Sequence, residues 1–279
     1  MTCMDGRSSA SNNGQLRSGG FHETLSGVVR MISLTGISRT FAGATGQVEA
    51  LRDIYLEVAD GEFVAILGRS GCGKSTLLRL IAGLLAPTCG EVKVSGARVT
   101  RPRRDMAMMF QRPALLPWRS VIDNVLLPVQ IFGWRKSAHR ERAQHLLELT
   151  GLAGFERRLP HELSGGMQQR VALCRSLIAE PSVLLMDEPF SALDALTREE
   201  LSGELQRIHM TNGATIVFVT HSIDEAVLLA DRVVVLSPRP GQIREVLDIK
   251  IPRPRRLGRT AHLDEVARCS AELHELLLS

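Results

Sequence analysis

The fold of this chain follows from the stretch Gly68-Arg69-Ser70-Gly71-Cys72-Gly73-Lys74-Ser75-Thr76. It fits the pattern G-x-x-x-x-G-K-[ST] without a gap, and we call it the P-loop. The preceding run, 62–67, is short, apolar and partly β-branched, which predicts a buried strand. The following run, 76–82, predicts a helix with an apolar face. The glycines therefore lie on a strand-to-helix turn, as this motif requires.

Such a turn forms a binding site for an anion. Its backbone N–H groups converge on the ligand, and the helix N-terminus adds about half a positive charge. Lys74 is expected to reach the β- and γ-phosphates of a nucleotide, and the Ser75 hydroxyl is expected to ligate Mg²⁺. Cys72 has two interpretations: a thiolate favoured by the helix N-terminus, or a small residue that contributes only its backbone. The second is preferred.

Composition narrows the classes of protein. A chain of 279 residues with 44% hydrophobic residues suffices for one large α/β domain or two modest ones. The net charge of +4 is concentrated in a basic linker, whose cations are Lys250, Arg253, Arg255, Arg256 and Arg259. The rest of the chain is nearly neutral, which excludes a nucleic-acid-binding stripe. The linker itself is expected either to be solvated or to contact an anionic membrane surface.

The cysteines indicate the compartment. The five, Cys3, Cys72, Cys89, Cys174 and Cys269, have no recurring spacing, so neither a disulfide framework nor a metal site is expected. A reducing, cytosolic environment follows. No run of 18 apolar residues and no hydrophobic signal region occurs, so the chain is not expected to cross a membrane.

The first half of the chain predicts strands and then helices. Residues 1–29, rich in Ser, Gly and Asn, predict a disordered leader. The predicted strands lie at 32–37, 48–58, 91–95 and 106–110, with a loop over 41–47 between the first two. The predicted helices lie at 121–132 (except Pro128), 139–149 and 166–179, and they form an all-helical insert over about 112–178.

The second half alternates strands with helices. The strands are predicted at 183–187, 215–220 and 232–236, and the helices at 195–211 and 222–230. This alternation predicts a mostly parallel sheet covered on both faces. The fold class is therefore α/β: a P-loop NTPase core with an N-terminal antiparallel β portion and the helical insert. Residues 246–279 are predicted to form the basic linker and an amphipathic helix over 261–278.

An acidic pair ends the strand predicted at 183–187. Acids at the carboxyl end of a parallel strand face the ligand crevice. Asp187 is therefore predicted to hold Mg²⁺, and Glu188 to polarise a water molecule. His221 follows the strand 215–220 and is expected at the same edge of the sheet, beside the γ-phosphate.

A second phosphate site is predicted at 163–170, which reads Leu-Ser-Gly-Gly-Met-Gln-Gln-Arg. Ser164 can cap the helix that follows, and Gly165 and Gly166 leave its first N–H groups accessible. A single nucleotide would hardly need two such sites in one protomer. Two copies packed head to tail would give each nucleotide one site from each copy.

Together these motifs resemble the nucleotide-binding subunits of ABC transporters, over about residues 31–245. Six stations occur in the family's order. They are Walker A at 68–76, Gln111 of the Q-loop, the signature at 163–170, Walker B at 183–188, Ser191-Ala192-Leu193-Asp194 of the D-loop and His221 of the H-loop. The resemblance implies a Mg-dependent ATPase whose ABC domain covers 30–245.

The resemblance also implies which residues contact ATP. Ser164, Gly165 and Gly166 would contact ATP held by the P-loop of the opposite subunit, and Asp194 of the D-loop belongs to the same nucleotide site. Phe41 matches the aromatic residue that stacks on adenine upstream of Walker A. Its spacing is somewhat long, and the family more often has Tyr at this place.

Catalytic roles follow from the same resemblance. Glu188 would be the catalytic base and His221 would hold the γ-phosphate. Gln111 would contact Mg²⁺ or the attacking water, so that the metal ligands would be Ser75, Gln111 and Asp187.

A finer resemblance is to the importer branch for nitrate, sulfonate, taurine and related small solutes, carried by 115–124, 237–243 and 251–255. It implies a peripheral subunit on the cytoplasmic face of the inner membrane, partnered by permease subunits and indirectly by a solute-binding protein. Leu116 and Trp118 mark a docking surface for the permease. The alternative is that both residues pack the helical insert against the sheet.

Other classes of P-loop protein fit less well. A kinase or GTPase would not explain 163–170. A DNA-repair ABC ATPase would carry a long coiled coil between Walker A and the signature, and a translation-type ABC protein usually has two such domains. A regulatory ABC-type ATPase without a transport role stays open.

Overall fold

The computed structural model describes residues 29–43, 46–191, 193–255 and 262–278. The leader predicted over 1–29 thus lies outside the described residues, apart from Val29. Within these ranges the chain forms ten strands and eight α-helices.

The strands are β1 (Arg30–Gly43), β2 (Gly46–Ala59), β3 (Phe63–Leu67), β4 (Cys89–Val94), β5 (Ala97–Arg98), β6 (Met106–Met109), β7 (Val183–Asp187), β8 (Thr215–Thr220), β9 (Arg232–Leu236) and β10 (Ile243–Asp248). The helices are α1 (Lys74–Ile81), α2 (Val121–Val125), α3 (Leu127–Ile131), α4 (Lys136–Leu149), α5 (Gly165–Leu177), α6 (Ala195–Asn212), α7 (Ile223–Leu229) and α8 (Leu263–Leu278). A 3-10 turn at Pro160–Glu162 precedes α5.

The larger sheet has six strands in the order β10-β9-β3-β8-β7-β6. All neighbours are parallel except β10, which is antiparallel to β9 at one edge. β3, β7 and β8 are buried along their whole length because both faces of the sheet are covered. The predicted mostly parallel sheet is confirmed. The carboxyl ends of these three strands share one edge, where Leu67 pairs with Thr220 and Asp187 with Val219.

The smaller sheet is antiparallel, with four strands in the order β2-β1-β4-β5. Its apolar residues, such as Ile32 and Val94, join Leu77 of α1 and Ile66 of β3 in one core cluster. Helix α1 thus packs against both sheets. The predicted N-terminal antiparallel portion is confirmed. It forms a layer that packs against α1, the helix that follows the P-loop.

The prediction of a loop over 41–47 is wrong for most of that stretch. β1 continues to Gly43 and β2 begins at Gly46, with Ala42 paired to Gln47. Small and polar residues gave this stretch a weak strand pattern. Its backbone hydrogen bonds are nevertheless satisfied by the partner strand, and this decides its conformation.

The helices between β6 and β7 differ in detail from the prediction. The predicted helix 121–132 is divided into α2 and α3, with Pro128 in the first turn of α3. Proline is tolerated there because the N–H group it lacks would have no partner within the helix. The Ser120 side chain caps α2 by accepting from Asp123 N. Helix α4 begins three residues before the predicted start.

The basic linker is only partly solvated. Arg255 is 3% exposed and donates to the carbonyl oxygens of Val227 and Ala230, at the C-terminal end of α7. Arg253 is ion-paired with Asp231 at 2.6 Å. Burial lowers the pKa of Arg255 to about 10. Both the solvated and the membrane-contact interpretations are thus wrong for these two arginines, since carbonyl and carboxylate oxygens already bind them.

None of the helices in the described ranges is both long enough and apolar enough to cross a bilayer.

Candidate active site

The P-loop follows β3 and leads directly into α1, which begins at Lys74. Gly71 and Gly73 have φ values of +79° and +105°, in the left-handed region that favours glycine. A Cβ atom at Gly73 would lie 2.7 Å from Leu51 Cδ2 and 2.8 Å from Ala50 O. The turn is therefore restricted to glycine both by its dihedral angles and by the β2 segment behind it.

The P-loop lysine is turned back over its own loop. Lys74 is 4% exposed, and its Nζ donates to Gly68 O at 2.7 Å and to Arg69 O at 3.1 Å. Of the other P-loop residues, Arg69 and Ser70 are exposed and Thr76 is half-buried in the first turn of α1. The ammonium group is thus held at the mouth of the turn, where an anion would meet it.

Ser75 and Asp187 meet beside this lysine. The Ser75 hydroxyl donates to Asp187 Oδ1 at 2.8 Å. Burial raises the pKa of Asp187, and the hydrogen bond from Ser75 opposes that shift. A hydroxyl and a carboxylate oxygen are the ligand types that Mg²⁺ takes in nucleotide sites, so these residues fit the predicted metal. Among the described residues, no group of three or more His, Cys, Asp and Glu side chains forms a metal site of its own.

Two predicted catalytic residues, Gln111 and His221, converge on the carboxylate of the third, Glu188. Glu188 Oε2 accepts from Gln111 Nε2 at 3.3 Å and lies 3.3 Å from His221 Nδ1. Glu188 Oε1 lies 3.7 Å from Lys74 Nζ. Gln111, Glu188 and His221 follow β6, β7 and β8, and Lys74 follows β3 through the P-loop. These parallel strands end at one edge of the sheet, which brings the four residues together.

Glu188 has an unusual backbone conformation. Its φ is +45°, a region that residues other than glycine rarely occupy. Its N–H donates to Val219 O at 2.9 Å, which ties it to the neighbouring strand β8. Strained backbone that is held by surrounding structure is concentrated at functional sites. The strain therefore adds to the case for Glu188 as a functional residue.

The second predicted phosphate site lies at the start of α5. The Ser164 side chain caps the helix by accepting from Met167 N at 3.2 Å. A Cβ atom at Gly165 would meet no other described atom within 4 Å. Within the described part of the chain, no hydrogen bond or ion pair joins residues 164–166 to the P-loop. The two predicted phosphate sites are thus not linked by a contact of this kind within one protomer.

The chain was next compared with known proteins. Residues 51–191 match the sequence profile of the ABC transporter family. The taurine import ATP-binding protein TauB of Ruegeria pomeroyi is 44% identical over 238 residues, which are 85% of this chain and 88% of that protein. The nitrate import ATP-binding protein NrtD of a Synechocystis species is 47% identical over 221 residues, covering 79% of this chain and 83% of NrtD.

A solved structure agrees with these relatives. The ATP-binding cassette MJ0796, in a dimeric post-hydrolysis state bound to ADP and Pi, superposes with a TM-score of 0.73 at 33% identity. The alignment covers 80% of this chain and 100% of that one. The chain belongs to the ABC transporter family. It is an ABC-type ATPase with the α/β P-loop fold that the sequence predicted.

The D-loop of this ABC ATPase is connected to its H-loop. Asp194 caps α6 by accepting from Thr197 N, and this hydrogen bond lowers its pKa. Arg198 donates to Leu193 O at 3.0 Å and lies 3.5 Å from Glu225, a buried acid beside the H-loop. Neither Arg198 nor Glu225 is among the predicted site residues. Glu225 lies in the first turn of α7, where an acid resembles an ordinary capping residue.

The signature helix is also connected to Walker B. Gln169, 1% exposed, donates to Pro189 O at 2.7 Å, one residue after Glu188. Its amide oxygen is buried and has no hydrogen-bond partner among the described residues. Gln169 is not among the predicted site residues. The polar residue within an otherwise buried helical face was the only signal that could have found it.

The structure also bears on two predicted nucleotide contacts, those of Cys72 and Phe41. The Cys72 side chain is buried, and burial raises the pKa of its thiol, which favours the interpretation that Cys72 contributes only its backbone. Phe41 lies in β1, with the Arg39 guanidinium 4.6 Å from its ring centroid. No hydrogen bond or ring contact joins Phe41 to the P-loop among the described residues, so its adenine-stacking role stays a prediction.

Proposed function

We propose that this ABC ATPase hydrolyses Mg·ATP as a head-to-tail dimer and energises the uptake of a small solute of the nitrate, sulfonate or taurine type through a partner permease. One observation carries the proposal. Glu188, Gln111, His221 and Lys74 converge at the P-loop, whereas Ser164 and Gly165, at the start of α5, are exposed and make no hydrogen bond or ion pair to these four among the described residues.

In this proposal the P-loop and Lys74 hold the β- and γ-phosphates of ATP. Glu188 accepts a proton from the attacking water, whose oxygen bonds to the γ-phosphorus as the bond to the β-phosphate oxygen breaks. His221 holds the γ-phosphate. A Mg²⁺ ion held by Ser75, Gln111 and Asp187 would neutralise part of the negative charge on the phosphates.

The opposite subunit supplies the signature in this proposal. Ser164, Gly165 and Gly166 present a capped helix N-terminus, which favours an anion. The dimeric state of the MJ0796 cassette supports a dimer. Asp194 and Phe41 are proposed to complete the nucleotide site, Phe41 by stacking on adenine.

Mixing two inactive variants tests the dimer directly. Lys74→Ala disables the P-loop, and Gly165→Asp puts a negative charge at the signature in a position with open space. A mixed head-to-tail dimer contains one fully intact site, so mixing should restore ATPase activity that neither variant has alone. Specific activity of the parental chain should also rise with protein concentration. No recovery on mixing, or a constant specific activity down to a demonstrated monomer, would overturn the proposal.

The importer role rests on the relatives. TauB and NrtD are named as import ATP-binding proteins, and this supports an importer over the purely regulatory ATPase that the sequence left open. The chain would be peripheral, on the cytoplasmic face of the inner membrane, with a solute-binding protein acting on the other side. Uptake of labelled nitrate and of labelled taurine should be compared in cells with and without the chain. Unchanged uptake of both would count against this branch.

A further inference from the structure

The loop of residues 237–242, Ser-Pro-Arg-Pro-Gly-Gln, has no role in the mechanism so far. It joins β9 to β10 and is braced internally, since Ser237 N donates to Gln242 O and Gln242 N donates to the Ser237 hydroxyl. Such a closed loop holds its tip in a defined position. Its tip residues, Arg239 and Gly241, both contact the P-loop.

Gly241 joins the P-loop to the smaller sheet. Its N–H donates to Ala50 O and its carbonyl accepts from Arg52 N, both at 3.0 Å. A Cβ atom at Gly241 would lie only 2.1 Å from Cys72 O. The Cys72 carbonyl oxygen is therefore packed against the Gly241 backbone, and any side chain at position 241 would collide with it.

Arg239 contacts the preceding peptide. Its Nε and Nη2 atoms each lie 3.4 Å from Gly71 O, and both donate to it. The side chain is exposed, and no carboxylate forms an ion pair with it among the described residues. Among the described residues, the Gly71 carbonyl oxygen is thus the acceptor for an otherwise unpaired guanidinium.

Two successive carbonyl groups of the P-loop, those of Gly71 and Cys72, therefore point towards the 237–242 loop. In a trans peptide the C=O and the following N–H point in opposite directions. The N–H groups of Cys72 and Gly73 consequently point away from the 237–242 loop, and the Cys72 N–H turns into the P-loop, where it donates to Arg69 O at 3.3 Å. Consecutive N–H groups turned to one side form the concave anion site of a P-loop.

We infer that the 237–242 loop positions the P-loop for phosphate, with Arg239 and Gly241 holding the carbonyl groups of Gly71 and Cys72 away from the nucleotide. Arg239 is a positioning residue and does not itself bind the phosphates. The inference rests on the proposed function, because it assumes that the P-loop holds the phosphates of ATP.

Arg239 is the residue to vary first, since its exposed side chain can be shortened without disturbing the core. Arg239→Ala should raise the Kd and the KM for ATP about tenfold and leave kcat and the Tm of the nucleotide-free protein unchanged. Arg98→Ala, at an exposed arginine on β5, is the matched control and should change neither constant. Arg239→Ala with a Kd and a KM within twofold of the parental values would overturn the inference.

A second variant separates positioning from simple charge attraction. In Arg239→Gln the amide nitrogen occupies nearly the position of the arginine Nε, so it can donate to Gly71 O without a positive charge. We expect it to recover a measurable part of the affinity. If it binds ATP as weakly as the alanine variant does, long-range charge explains the effect and the positioning role is wrong.

Gly241→Ala tests the other contact. The added methyl group would collide with Cys72 O, so ATP binding should weaken at least tenfold, whereas Gly203→Ala, at a position open among the described atoms, should not change it. A normal Kd for Gly241→Ala would contradict the inference. The parental chain distinguishes the two proposals: if it binds no ATP, both fail, and if it binds ATP while the Arg239 and Gly241 variants bind equally well, only this inference fails.

Discussion

The carboxylate of Glu188 lies 3.7 Å from the ammonium group of Lys74, measured from Oε1 to Nζ. Both side chains are shielded from solvent, with exposed fractions of 19% and 4%. A triphosphate held by the P-loop would bring its own negative charge to the same ammonium group. The ion pair therefore competes with bound phosphate for one cation, and the two residues should respond to substitution in opposite ways.

Glu188→Gln should keep ATP binding and lose turnover. Removing a general base typically costs about 10²–10⁴-fold in rate, while neutralising Glu188 removes a competitor for Lys74. Lys74→Ala should instead weaken ATP binding, because it removes the charge that faces the phosphates. Nucleotide binding and single-turnover hydrolysis should be measured side by side. Turnover at the parental rate in the glutamine variant would show that Glu188 is not the base.

Asp187→Asn should stabilise the nucleotide-free protein at neutral pH. Burial raises the pKa of Asp187, so its favourable contribution to folding is complete below the ordinary value of about 3.9 and is lost as pH rises through the folded-state pKa. Asparagine stays neutral and avoids that loss. Urea unfolding of both proteins across this pH range should show a stability gap that opens as pH rises. A stability gap that does not change with pH would show that the raised pKa is not the cause. In the same variant, Mg-dependent hydrolysis of ATP should be lost.

Arg255→Met should destabilise the fold. The guanidinium donates to four carbonyl oxygens, those of Val227, Ala230, Ile249 and Ile251. Each buried acceptor left without a donor costs about 1–3 kcal/mol. Thermal and urea unfolding should therefore show a loss of at least a few kcal/mol. Lys250→Ala, an exposed basic residue of the same linker, should change stability by less than about 0.5 kcal/mol. Equal stabilities would mean that the buried contacts contribute nothing net.

Trp118→Ala should abolish co-purification with the permease and leave the ATPase activity of the isolated dimer mostly intact. Trp118 is 73% exposed, so the packing interpretation fails for this residue and truncation should not lower the Tm. Leu116 is half-buried, which makes Leu116→Ser a less selective change. Tyr55→Ala, at an exposed aromatic residue on β2, is the control. Full permease binding by the Trp118 variant would end the docking hypothesis.

Much of the site could be predicted because its signals are local or periodic. The left-handed conformations of Gly71 and Gly73 require glycine, and Asp187-Glu188 follows a continuous apolar strand. The meeting of Glu188 with His221 follows from one topological rule, that parallel strands end at the same edge of a sheet. These features depend on neighbours in sequence or on the order of the strands.

The tertiary structure alone decided the features that depend on contacts between distant segments. The sequence marks Arg255 as a charge in a linker, and only the position of α7 makes it a buried donor to carbonyl groups. Gln169 and Arg239 likewise acquire their partners, Pro189 and Gly71, from other segments. Glu225 meets Arg198 of α6 in the same way. The sequence therefore determined the nucleotide loop and the mostly parallel sheet. The order of the strands and the residues that support the loop were decided by packing, because burial and close backbone approach arise only when layers pack together.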